Sequence, residues 1–116
     1  MLALTMIRKL AFAALCLAAL APLSAAQAQQ AAELQVTYSD GQFQPNELRA
    51  PAGKSVAVRI KNLSGKAMEF ESHALKVEKV IPAKGEGVVN VRAQKAGRYE
   101  FFDEFNEKAR GALIVE

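Results

Sequence analysis

Val56, Val58 and Ile60 alternate with Ala57, Arg59 and Lys61. A period of two sends neighbouring side chains to opposite faces of a strand and cannot build the apolar stripe of a helix. The same alternation recurs in Leu34 to Tyr38, in Val89 to Arg92 and in Tyr99 to Phe102. Shorter stretches, Ala67 to Glu71, Lys76 to Val80 and Ala112 to Val115, read as further strands. Turn residues punctuate them: Ser39-Asp40-Gly41, Pro51-Ala52-Gly53, Asn62 to Gly65, Gly85 to Gly87 and Lys95-Ala96-Gly97. Pro45 restricts its segment to an edge or bend, and Pro82 ends the strand before it. No segment carries a helical stripe. The polar stretch Asp103 to Arg110 reads as a loop, with room for one helical turn between Phe102 and Arg110. Short strands at turn spacings of about 8–12 residues predict an all-β sandwich in a single domain.

The first residues follow another pattern. Leu10 to Leu23 contain no charge and follow Arg8 and Lys9. The run is short for a bilayer span, which needs about 20 apolar residues. Basic start, apolar run and the exit Ala26-Gln27-Ala28 predict a secretory signal peptide over residues 1–28, an exported, periplasmic domain over 29–116, and no membrane span after cleavage. Its removal changes the chemistry. Arg8 and Lys9 leave, so 13 basic residues face 12 acidic ones and the high pI of the whole chain belongs mostly to the leader. Binding of nucleic acid through bulk charge loses its support. The sole cysteine, Cys16, leaves too, and Leu15 before it does not suit a lipoprotein. The mature chain therefore has no disulfide, no thiolate ligand and no cysteine nucleophile.

Two groups of acids do not fit simple surface alternation: Glu69, Glu71 and Glu78 around one short strand, and Asp103, Glu104 and Glu107 in the stretch before the last strand. Glu69 and Glu71 lie two apart, so both project from one face, roughly 6–7 Å apart along it. Met68 and Phe70 project from the other. Carboxylates suit iron, manganese, calcium or Cu(II), and a thioether suits Cu(I). The plainer alternative is a solvated strand face, with Met68 in the core. His73, the single histidine, reads as a bystander, and Tyr99 as a structural residue with its hydroxyl on nearby backbone. Motifs of phosphate-binding loops, zinc proteases and serine hydrolases are absent, and no catalytic residue is assigned.

Phe43-Gln44-Pro45-Asn46-Glu47-Leu48, Ala52-Gly53 and Val56 to Asn62, with Gly97 to Phe101 and Gly111 to Val115, resemble the Greek-key sandwich of the cupredoxins. That resemblance places Met68 where a blue-copper protein has its first His, Asp103 at the Cys, Asn106 at the loop His and Ala109 near the axial Met. A strong charge-transfer copper site is excluded on ligands alone. Lys66-Ala67-Met68-Glu69-Phe70-Glu71 and Val77-Glu78-Lys79-Val80-Ile81-Pro82 are similar to the cupredoxin-like domain of EfeO-type iron-uptake proteins, and still more to the stand-alone periplasmic cupredoxins of ferrous-iron permease systems. The resemblance implies a copper and/or iron ion, and a role in oxidising ferrous iron or delivering it to a membrane permease. It also implies that Met68, Glu69, Glu71, Glu78, Asp103 and Glu104 surround one or two metal positions at one end of the sandwich. Asp103, Met68 and Glu78 are expected as one set, with Glu69, Glu71 and Glu104 as a second site or outer shell. A metal-free sandwich that binds a protein partner is the competing expectation.

If the leader is cleaved as expected, intact-mass measurement on a periplasmic extract returns a chain lacking residues 1–28; a mass retaining Met1 contradicts it.

Overall fold

The computed structural model describes residues 32–116. The leader expected over residues 1–28, with Cys16 and its cleavage motif, lies outside them. The described residues form nine strands and no helix: β1 (Ala32–Ser39), β2 (Gln42–Gln44), β3 (Glu47–Ala50), β4 (Val56–Asn62), β5 (Met68–Ser72), β6 (Val77–Ile81), β7 (Glu86–Val91), β8 (Gly97–Asp103) and β9 (Asn106–Val115). They build two sheets, ordered β2-β1-β4-β7 and β3-β9-β8-β5-β6. The expected all-β sandwich is the observed architecture.

Local chemistry explains the path. Asp40 and Gly41 both take positive φ, 53° and 70°, the conformation of the two-residue hairpin turn, and they fold β2 back on β1 with Tyr38 opposite Phe43. After Pro45 and Asn46 the chain changes sheets, and β3 runs parallel to β9. β1 runs parallel to β4, and β4 antiparallel to β7. The turn after Pro82, closed by Gly85 N–H donating to the Pro82 carbonyl at 3.0 Å, carries the chain from β6 back to the first sheet.

The alternating residues meet between the sheets. Val36, Val58, Ile60 and Val91 from one side pack toward Leu48, Met68, Phe70, Phe101 and Leu113 from the other. Each such side chain contributes about 1.5–3 kcal/mol when fully buried. Phe43 stands at the centre of an aromatic cluster, with ring centroids 5.0 Å from Phe101, 5.1 Å from Tyr38 and 6.1 Å from Phe70.

The stretch Asp103 to Arg110 is neither a long loop nor helical. Glu104 and Phe105 form a tight turn, and β9 begins at Asn106. The start of β9 extends past the core, so Asn106 to Lys108 are all exposed and their strand periodicity has no apolar member to reveal it. A register shift between Phe102 and Asp103 accommodates the turn. Phe102, on the outer face, is buried beneath the Arg110 guanidinium, 5.0 Å from the ring centroid.

Gly111 is a close-approach position. A Cβ there would run into the Phe101 ring and lie 2.8 Å from the Asn46 carbonyl oxygen. Overpacking of this kind costs about 1–3 kcal/mol, so Gly111→Ala is expected to lower unfolding stability by that amount in urea titration, with Gly65→Ala, which meets nothing within 4 Å, as the control.

Candidate metal centre

Two chemically different places lie back to back at one end of the second sheet. The inner one is built on Asp103. Its residue is 2% exposed, yet its carboxylate is well partnered. Tyr38 donates its hydroxyl to Oδ2 at 2.6 Å, and the Glu69 and Phe105 N–H groups each donate to Oδ1 at 3.0 Å. Burial first, then the hydrogen bond to Asp103 and its charge, push the Tyr38 phenol up to about 12, with the Asn106 side chain opposing. Tyr38 therefore stays a donor at neutral pH. Asn62, fully buried nearby, donates to the Lys66, Ile81 and Pro82 carbonyls and accepts from the Ser64 N–H and hydroxyl. Met68 is also fully buried, opposite Ile81.

The outer place is carboxylate. Antiparallel pairing sets Glu78 directly across from Glu71. Directly opposed residues share a face, so Glu69, Glu71 and Glu78 project together, and one carboxylate oxygen from each lies within 4.8 Å of the others. Glu104 joins them from the β8–β9 turn. Its hydrogen bond to Glu71 comes first, then burial and its charge, in holding the Glu71 carboxyl above the usual carboxylate range; Glu69 adds to the rise and His73 opposes it. His73 Nδ1 lies 3.6 Å from Glu71 Oε1.

The six expected residues thus divide by face. Glu69, Glu71 and Glu78 converge, with Glu104 against Glu71. Met68, Asp103 and Glu78 do not form one set, because Glu78 is on the outer face while Met68 and Asp103 point into the sandwich. Two residues of the site escaped the sequence reading. Tyr38 is the polar-tipped residue at the inward end of β1, and an inward tyrosine at a strand end signals a buried partner. His73 follows Glu71 by two residues and stands beside its carboxylate instead of being a bystander. The Tyr99 hydroxyl donates to the Lys95 carbonyl at 2.8 Å.

A family model described as "Cupredoxin-like domain" matches residues 10–115. The chain belongs to the cupredoxin-like domain family. An uncharacterized protein of Rickettsia prowazekii (strain Madrid E) is 32% identical over 84 residues, which are 72% of this chain and 67% of that protein. Solved structures similar to this cupredoxin-like chain include the metal-binding domain of the Streptococcus pneumoniae D39 Cu(I)-exporting P-type ATPase CopA with Cu(I), with a TM-score of 0.63, 16% identity, and coverage of 72% of this chain and 84% of that one. Another is amicyanin from Paracoccus versutus, with a TM-score of 0.57, 17% identity, and coverage of 75% and 84%. At such identities the likeness is one of fold.

Because the folded-state pKa of Glu71 is raised, its proton stabilises the fold below the unfolded-state pKa, and that stability is lost as pH rises through the folded-state value. In a chelator-treated sample, Glu71→Gln is expected to remove this loss. Denaturation curves below and above the carboxylate range check it: the advantage of the variant over wild type should grow with pH.

Proposed function

We propose that this cupredoxin-like protein is an exported, periplasmic metal-binding protein that takes a copper or iron ion at Glu69, Glu71 and Glu78, with Glu104 beside them, and assists ferrous-iron oxidation or delivery to a membrane permease. The observation that carries the reading is the convergence of three carboxylate oxygens within 4.8 Å on one sheet face. An all-oxygen donor set fits Cu(II) and iron better than Cu(I), since the Met68 sulfur is buried on the opposite side. A copper or iron ion held there would supply a one-electron couple. With the Glu71 carboxyl held above the usual carboxylate range by Glu104 and burial, protons compete with the ion there, so affinity should rise with pH through the carboxylate range. Copper is supported by the kind of protein that shares this fold, among them a copper-binding protein solved in its apo form, with a TM-score of 0.62, 22% identity, and coverage of 72% of this chain and 86% of that one. Iron and the permease are supported by the motifs Lys66 to Glu71 and Val77 to Pro82.

One observation favours a second reading, a metal-free interaction module. Phe105 is 59% and Leu63 41% exposed, and both line a cleft of about 700 Å³ at the Asp103 end together with Lys66 and Lys84.

Titration of the purified protein with Cu(II) and Fe(II) separates the two. Wild type is expected to bind, and the Glu69→Gln, Glu71→Gln, Glu78→Gln triple variant to bind more than about tenfold more weakly, the least that even outer-shell changes usually cost. The Cu(II) form is expected to lack an intense blue band, because no cysteine follows Cys16. A folded wild type that binds neither ion leaves the interaction module as the reading.

A further inference from the structure

Asp103 is the acid that the metal reading leaves unused, and its surroundings give it another task. We propose that Asp103 is a positioning residue for the outer carboxylates: its side chain, itself no ligand, holds the Glu69 backbone and the β8–β9 turn so that Glu69 and Glu104 stand beside Glu71 and Glu78. The proposal rests on the metal-binding reading above.

The argument begins with the end of a ladder. β5 and β8 pair Phe70 with Asp103 and Glu71 with Phe102. One step further, the Glu104 N–H donates to the Glu69 carbonyl at 2.9 Å. A regular antiparallel pair would return a bond from the Glu69 N–H to the Glu104 carbonyl. That N–H goes to Asp103 Oδ1 instead. The carboxylate thus completes the exchange that the turn breaks off. Its Oδ1 also takes the Phe105 N–H, which fixes the turn carrying Glu104. Its Oδ2 is held by Tyr38 from the other sheet.

The same bonds direct Asp103 away from the outer acids. Three donors take three of the roughly four lone-pair sites on its two oxygens, and the side chain faces the sandwich interior, opposite Glu69 and Glu71. The peptide of Glu69 is pinned on both sides, by Asp103 on its N–H and by Glu104 on its carbonyl. Glu71 and Glu78 face each other within a regular β5–β6 ladder and do not depend on Asp103. Loss of Asp103 should therefore release Glu69 and Glu104 and leave the other two carboxylates in place.

Cu(II) titration of D103A and D103N, alone and in E69Q and E78Q backgrounds, tests this. D103A is expected to weaken binding about 10–100-fold, the range for residues that orient metal ligands. D103N keeps an acceptor oxygen for both N–H groups and should recover most of that loss. In the E69Q background D103A should cost only the smaller part that comes through Glu104, whereas in E78Q it should cost its full amount. A merely structural Asp103 would cost the same in both backgrounds, and that result overturns the proposal. In metal-free protein, D103A should speed hydrogen exchange at the Glu69 and Phe105 amides while leaving Val58 protected; unchanged exchange at both overturns it. Wild type supplies the test if D103A does not fold: scalar coupling across the hydrogen bonds from the Glu69 and Phe105 amides to the Asp103 carboxyl carbon is expected, and its absence overturns the proposal. If wild type binds no Cu(II), the exchange and coupling results still decide the role of Asp103, and the metal reading alone falls.

Discussion

A strand shows successive residues to opposite sides, and in β5 the two sides are chemically opposed. Met68, Phe70 and Ser72 point into the sandwich, and Glu69 and Glu71 point out. The apolar side locks the register, because a slip of one residue would drive two glutamates into the core and expose Phe70. Everything at this end follows from that constraint. Glu78 is placed by its pairing with Glu71 and Asp103 by its pairing with Phe70, and the two acids finish on opposite faces of one sheet.

The inner face shows how a carboxylate is tolerated where water is excluded. An ionised carboxylate without partners would be far too costly there. Asp103 has three donors, two of them backbone groups that would otherwise lie beyond the last regular pair of their ladder. Asn62 does the same work between the turns after β4 and β6, with both ends of its amide engaged. Among the described residues no buried side-chain nitrogen or oxygen lacks a partner. At this corner the polar groups of Tyr38, Asp103 and the turn after β8 are engaged with one another by hydrogen bonds.

The outer face keeps its charges apart from that corner and close to each other. Glu71 is the crowded member, with its side chain only 14% exposed while that of its neighbour His73 is 77% exposed. Across the same face, in register, lie Phe102 on β8 and Arg110 on β9. The guanidinium rests on the ring, so this cation covers apolar surface and leaves the acids unneutralised. Mutual repulsion then falls on the carboxylates themselves, and a shared proton or a cation relieves it.

The sequence alone determined the longer strands whose alternation has apolar members, because a period of two is a local property and needs no partner to be read; β2 and β3, three and four residues long on either side of Pro45, read only as an edge or bend. It therefore determined the sandwich and the division of Met68 and Phe70 from Glu69 and Glu71. It did not reveal the start of β9, where Asn106 to Lys108 are polar on both sides and the burial that marks a strand begins only at Ala109. Asp103 keeps the inward parity of Tyr99 and Phe101, which alternation shows, but the direction of Glu104 was not legible: the tight turn and its bond to the Glu69 carbonyl bring it to the outer face beside Glu71. The pairing of Glu78 with Glu71 was equally out of reach, since the residues between them form a turn whose register depends on Met68 and Ile81 meeting in the core. Tertiary structure decided which acids face one another, because that is a matter of strand register, and register is set by the packing of the opposite face.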